Sequence, residues 1–399
     1  MSNITTKLNY SEFPECSKEA LNFVVKTFSS DPNRGVPGRS SSGDSYAINI
    51  AQEYVIDKLR KRGKDNKKFY DIHELQLLEM LCSALQSAPE HACYNIFHAI
   101  FGGHVDQTKI TFMTKLVSMA ISVSAGPVLG CAALWMQEKG SQSQSVCDLA
   151  QMLVDDYCLL YQDNNDAFKN LPKVSSLFTC NFITALTTIY PYTDISKSPP
   201  HALLQCIVDW ISSDSCLCSD SVRLVRIQST FTCPISGLVR WCILGPLVTV
   251  GSCQESSKSK NELESDKKTS NQFSESKLQS LFSKLHLGVL SSLQAYKSME
   301  LNEHLLTLTD LIIVSKMLAS FYKGGNCTED MIHIVNISTD RLAQVIQVAL
   351  TTASLPGENL FYQSSKALCL FRLCSLGSKL TEDNLILGSL KKSSGFNVC

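Results

Sequence analysis

Leu116–Met136 reads LVSMAISVSAGPVLGCAALWM, twenty-one residues without a charge, interrupted near the middle by Gly126-Pro127. The length alone suits a membrane span of about 20 residues. The interruption points elsewhere. Pro127 has no backbone N–H to donate and pushes Gly126 out of helical φ/ψ, and Ser118, Ser122, Ser124 and Gly130 dilute the apolar run. The stretch is read as two short buried helices, Lys115–Ser124 and Pro127–Gln137, folded back on each other, with Pro127 in a first helical turn. A membrane span is the alternative that this reading displaces.

The same helical period returns on both sides. A helix is expected around Ser17–Phe28, and the Gly-, Pro- and Ser-rich Asp31–Ser45 reads as a loop. A second helix near Tyr46–Leu59 runs into a basic stretch. Asp71-Ile72-His73-Glu74 has the form of a capping box and opens a helix with Leu75, Leu78, Cys82 and Leu85 on one face. Val146, Leu149, Ala150, Leu153, Val154 and Tyr157 repeat the 3.6-residue spacing, with Asp148, Gln151 and Asp155 opposite. Leu203, Leu204, Ile207, Val208 and Ile211 follow it after Pro199-Pro200, and Leu342, Val345, Ile346, Ala349 and Leu350 after Ser338-Thr339. No strand-length alternation stands out.

Helix pairs joined by short turns predict an all-α fold, a HEAT-like α-solenoid of stacked antiparallel helix pairs. No fixed repeat period aligns, so a non-repetitive helical bundle stays open beside it. Ser252–Ser276 (SCQESSKSKNELESDKKTSNQFSES) is almost free of apolar residues and is expected to be a disordered linker. The predicted organisation is an N-terminal helix and loop (1–45), an N-terminal helical array (46–250), the linker (251–276), and a C-terminal helical array with tail (277–399).

Composition narrows the function. The chain has 399 residues, 44% hydrophobic and 18% charged, with a net charge of −1. That is ample material for a core and implies no global attraction to nucleic acid or anionic membrane. The N-terminus lacks the apolar run of a secretory signal. The 17 cysteines are odd in number and sit in apolar runs, as reduced, buried thiols do. Phosphate-cradling glycine motifs and the G-x-S-x-G elbow are missing. His73-Glu74 begins a zincin-like string, but Leu77 stands where the second histidine belongs. Cys82, His91, Cys93 and His98 lack knuckle spacing, as do Cys216-x-Cys218 and Cys369-x4-Cys374. No metal or other cofactor is expected, and Cys158 and Cys242 should be inert in their apolar surroundings.

The polar candidates are few. Asp155-Asp156 is the paired carboxylate on a well-defined helix, but adjacent helical residues point about 100° apart and form no shared-proton dyad. Asp155 reads as a solvated or partner-facing charge. Lys58, Arg60, Lys61, Arg62, Lys64, Lys67 and Lys68 form the basic cluster. A solvated helix end, a nuclear-import signal and a phosphate-backbone patch all fit it. No aromatic residue interleaves with it, so single-strand stacking is unsupported. Trp135, Trp210 and Trp241 read as core anchors, with partner hot spots the alternative. Arg240 beside Trp241 adds arginine–tryptophan chemistry, and Asp155, Arg240 and Trp241 are the candidate partner-binding residues.

A series of short blocks also resembles a known family. Glu74–Cys82 (ELQLLEMLC) and Lys115–Ala120 (KLVSMA) are followed by the run from Pro127-Val128-Leu129 through Cys131-Ala132-Ala133 to Trp135 and Gln137. Leu153–Cys158 (LVDDYC), Leu238–Cys242 (LVRWC), Ser283–Leu287 (SKLHL) and Asp340–Gln344 (DRLAQ) come next in order. Together they are similar to the fifteenth subunit of the Integrator complex. Asp31–Ser45 and the region after Thr351 depart from that pattern, and a Pro- and His-rich tail is missing.

The resemblance implies a non-enzymatic, nuclear, helical-repeat scaffold subunit. It would connect an accessory module of the tenth, thirteenth and fourteenth subunits to the core subunits, in small nuclear RNA 3′-end processing and attenuation of RNA polymerase II transcription. Association with the polymerase would be indirect, and no membrane would be involved. The competing reading is a helical-repeat adaptor of another cytosolic or trafficking complex.

Overall fold

The computed structural model describes residues 2–30, 42–56, 71–140, 142–160, 166–192, 197–218, 233–258, 266–296, 306–323 and 329–352. Among these residues the regular structure is entirely helical. The chain divides into two compact units, one of residues 1–189 with 224–232 and one of residues 190–223 with 233–399.

The first unit contains α1 (Ser2–Tyr10), α2 (Glu15–Ser29), α3 (Ser42–Ala51), α4 (Asp71–Ser87), α5 (Glu90–Phe101), α6 (Gln107–Ser122), α7 (Gly126–Lys139) and α8 (Gln144–Val154). Two short turns of helix, α9 (Asp166–Lys169) and α10 (Leu171–Val174), precede α11 (Ser176–Ile189). Helices α3 and α8 each end in a π-helical turn, Gln52–Ile56 and Asp155–Leu160. Helices α4, α6 and α8 pack side by side in one layer, and α5, α7 and α11 in the other, with α6 and α7 in contact across them. Each helix thus packs on the next but one in sequence, the two-layer arrangement of an α-solenoid.

The decisive stretch forms α6 and α7, as expected, and no described helix is long and apolar enough to cross a membrane. Pro127 lies in the first turn of α7. The chain reverses, however, two residues before the Gly126-Pro127 pair. Ser124 takes a left-handed φ of 56°. Ala125 N–H donates to Ala120 O (2.8 Å) and Ser124 N–H to Ile121 O (3.2 Å). These two bonds are those of a Schellman motif, with serine where glycine is usual.

The stripe expected on α4 is corrected by one position. Leu78, Cys82 and Leu85 are buried together with Leu77 and Leu81, but Leu75 is 43% exposed. Leu75 lies about 100° round the helix from Glu74, which sits at the centre of the buried face. On α8 the buried stripe is as read, and Asp148, Gln151 and Asp155 are partly exposed.

The second unit contains α12 (His201–Ser213), α13 (Pro234–Lys258), α14 (Asp266–Tyr296), α15 (Leu308–Lys323) and α16 (Glu329–Thr351). Helix α13 packs against α14, α15 and α16, while α14 also meets α12 and α16. Two glycines allow these close approaches. A Cβ at Gly245 would come within 2.4 Å of the Phe282 ring, and one at Gly288 within 2.9 Å of Ile211 Cγ2.

The two compact units divide at Ile189–Tyr190. Residues 251–258 and 266–276 continue α13 and α14 as helix, and 259–265 lie outside the described residues. Glu, Lys and Gln have good helix propensity, so a polar segment can extend a helix nucleated by packing elsewhere. The basic cluster Lys58–Lys68 and the Asp31–Ser41 part of the expected loop also lie outside the described residues.

Candidate interaction surfaces

In the first unit the polar groups gather where α4, α6 and the end of α8 meet. Glu74, 7% exposed, accepts two bonds from Lys115 Nζ, at 3.0 and 2.9 Å. Tyr157 OH donates to Ser118 O (2.9 Å) and bonds the hydroxyls of Ser118 and Ser122. Its ring stacks on Phe168 with centroids 5.0 Å apart. The π-turn carries the paired carboxylates. Asp155 accepts from Gln151 Nε2 (2.8 Å) one helical turn back. Burial raises the pKa of Asp156, Asp155 adds to the rise, and Lys115 opposes it. Lys115 therefore pairs with Glu74 and also acts on Asp156, and Leu159, 52% exposed, lies four residues beyond Asp155. Asp155, read as a solvated or partner-facing charge, is partly exposed.

In the second unit Trp241 is fully buried, which removes it from the partner-binding candidates. Its Nε1–H donates to Tyr190 O (2.7 Å), and its ring meets Tyr192 edge-on at 5.7 Å. The apolar stripe of α13 faces inward on three sides, so a tryptophan there anchors the core. Arg240, its neighbour, is partly exposed, and its Nε is buried without an acceptor.

A polar layer runs beside that core through α13, α14 and α16. Cys242 Sγ lies 3.8 Å from His286 Nδ1, and His286 Nε2 bonds Gln344 Oε1 (2.8 Å). The order Cys–His–Gln resembles a nucleophile, a base and an orienting amide. Its electrostatics do not suit that work. Burial pushes the Cys242 thiol up to about 12, against the pull of Arg341, and burial likewise lowers the pKa of His286. Both groups stay neutral near pH 7, so no thiolate is available. The raised Cys242 pKa is the one its apolar run predicts.

Arg341, 7% exposed, is the centre of this layer. Its Nη1 donates to Cys242 O and its Nη2 to Ser283 Oγ, both at 2.8 Å. The first bond has a specific origin. Pro246 lies inside α13, four residues after Cys242, and its ring nitrogen cannot donate the helical bond that Cys242 O would receive. Arg341 supplies the missing donor from another helix. Sequence reading passed over this residue, although a proline four positions beyond Cys242 in an apolar helix signals an orphaned carbonyl that something must satisfy.

Among the described residues no three His, Cys, Asp or Glu side chains come together as a ligand set. Two of the residues weighed as metal ligands have other partners. Cys93 Sγ donates to Leu85 O (3.3 Å), and His98 pairs with Glu138 at 3.5 Å.

Residues 2–365 match the family model for Integrator complex subunit 15. The chain belongs to that family. It is 29% identical to Integrator complex subunit 15 of Danio rerio over 379 residues, covering 89% of this chain and 75% of the fish protein. The mouse (Mus musculus) protein of the same name is 30% identical over 329 residues, 78% of this chain and 72% of its own length. The Drosophila melanogaster protein is 26% identical over 360 residues, covering 85% and 86%. The short blocks by which the chain resembles the Integrator subunit 15 family hold both polar clusters. ELQLLEMLC, KLVSMA and LVDDYC carry Glu74, Lys115, Ser118, Asp155, Asp156 and Tyr157. LVRWC, SKLHL and DRLAQ carry Cys242, Ser283, His286, Arg341 and Gln344.

Proposed function

We propose that the chain is a non-catalytic scaffold subunit of the Integrator complex. It would join the accessory module of the tenth, thirteenth and fourteenth subunits to the core subunits, and through them associate indirectly with RNA polymerase II. Its roles would be in small nuclear RNA 3′-end processing and transcription attenuation, in the nucleus, with Lys58–Lys68 as an import signal. The observation that carries this reading is the family match over residues 2–365. Two further features support it. The Cys242–His286 contact holds a protonated thiol and a neutral imidazole, a poor start for nucleophilic chemistry. The two-layer helical packing of the first unit offers long exposed helix edges of the kind that solenoids use to bind partner segments.

Asp155 and Arg240 are the proposed charged contacts. Asp155 stands on the open side of α8, and Arg240 has a buried donor still lacking an acceptor. Affinity purification of the tagged chain, read by quantitative mass spectrometry, tests the assignment. The expected result is co-purification of Integrator subunits, reduced by Asp155→Lys and by Arg240→Glu. Full recovery of the subunits with both variants, together with a lowered melting temperature, would assign these residues to bracing of the fold instead.

A further inference from the structure

Helix α14 has an edge whose chemistry is incomplete. From Ser276 to Tyr296 the chain carries Lys277 and Lys284 and no Asp or Glu. Ser280, Ser283, Lys284, Leu287 and Ser291 are exposed along this edge, and Leu287 is 63% exposed. Ser283 and Leu287 are one helical turn apart, so they share a face.

The Arg341 guanidinium reaches this edge through its bond to Ser283 Oγ. Its other bond ends on a neutral carbonyl. Among the described residues no carboxylate pairs with it, although Asp340 precedes it and Asp209 lies on the neighbouring α12. The amide of Gln205 bonds Asp209 instead (2.9 Å). A buried cation without a counter-charge is unfavourable, and structures normally supply one. One turn before Ser283, the amide nitrogen of Gln279 is buried with no acceptor. Two independent observations therefore show the same deficit: donors in excess, and no anion to receive them.

We propose that the α14 edge centred on Ser283, Lys284 and Leu287 docks an acidic, leucine-bearing segment of a neighbouring subunit. A carboxylate of that segment pairs with Lys284 on the solvent side of Ser283, whose hydroxyl already donates to Gln279 O and accepts from Arg341, and there it supplies the charge that Arg341 lacks. Its apolar side chains cover Leu287, one turn along. The spacing of one turn between the polar and apolar contacts fits a helix laid along α14. The inference rests on the subunit reading above, which provides the partner.

Zero-length carbodiimide coupling joins amines only to carboxylates in contact, so it tests the contact in the purified complex containing the unaltered chain. The expected product is an amide between Lys284 Nζ and an Asp or Glu of another subunit. The second arm uses Lys284→Glu combined with Leu287→Ser. Both positions are exposed, so the melting temperature should not change, while recovery of the bound subunit should fall about tenfold. Undiminished recovery, coupling of Lys284 only to a second copy of this chain, or loss of RNA in place of protein would overturn the docking inference and leave the subunit reading standing. If the wild-type chain recovers no Integrator subunit, the subunit reading fails first and the docking inference falls with it. The coupling arm uses the unaltered chain, so it decides the matter even if the double variant folds poorly.

Discussion

The two units handle buried charge in opposite ways. In the first, the buried Glu74 carboxylate is met by the Lys115 ammonium through two bonds. In the second, the buried Arg341 cation ends on a carbonyl and a hydroxyl, and no described carboxylate answers it. The difference follows from what each charge is for. Lys115 serves a carboxylate, while Arg341 serves a hole in the backbone ladder that Pro246 opens in α13. A helix repaired from outside ties its own integrity to the helix that repairs it, so α13 and α16 are coupled chemically as well as by packing.

That coupling gives the largest expected effect. Arg341→Met should destabilise the second unit by about 1–3 kcal/mol, the cost of leaving Cys242 O buried and unpaired. In a Pro246→Ala background, the new backbone N–H at that position can donate to the carbonyl, and the cost should fall by at least half. Urea unfolding followed by Trp241 fluorescence measures both legs of the cycle. Equal costs in the two backgrounds would show that Arg341 is not there for the carbonyl.

The matching change in the first unit is Lys115→Met, which takes two charge-assisted bonds from the Glu74 carboxylate. Lys115 is 45% exposed at its side chain, and water softens the loss, so about 1–2 kcal/mol is expected. Trp135 fluorescence should report it, with Trp241 unaffected. A loss shared by both reporters would break the separation into units.

The units should also part in their response to pH. Burial lowers the pKa of His286 below its ordinary 6.5. The unfolded chain then protonates first as pH falls, so the second unit loses stability below about pH 6.5, at no more than about 1.4 kcal/mol per pH unit. The loss levels off once His286 itself protonates. His286→Gln should flatten the slope. Asp156 acts in the other direction, because its pKa is raised. Its contribution to the first unit is present in acid and is lost as pH rises through its folded pKa. Asp156→Asn should therefore stabilise the first unit at pH 7, with a gain that grows as pH rises from the ordinary carboxylate value of 3.8, and a denaturation series from that pH to pH 7.5 separates the two signs.

The smallest effect belongs to the reversal between α6 and α7. Ser124→Gly should raise stability by about 0.5–1 kcal/mol, since glycine occupies the left-handed region without a Cβ penalty. A neutral or destabilising result, in a thermal melt followed by Trp135, would mean that the Ser124 side chain contributes more than its backbone conformation costs.

The sequence by itself determined the helical class and most of the helix faces. The 3.6-residue spacing of Val146, Leu149, Leu153 and Tyr157 is a local property, and burial follows from it directly. The break in Leu116–Met136 was equally legible, because proline and glycine act on the backbone within one or two residues. The short blocks that resemble the family also lay in plain view, and the family match bore them out.

Tertiary structure decided the rest. Whether Trp241 faced a partner or the core depended on Tyr190 and Tyr192, about fifty residues away. The role of Arg341 depended on a carbonyl 99 residues away. The unit boundary at Ile189–Tyr190 precedes one Pro-containing turn among several in the chain, and which of them divides the units is set by which helices pack together. Helical periodicity says which face of a helix is buried. Only the packing of helices distant in sequence says against what, and which polar groups are left to find partners elsewhere.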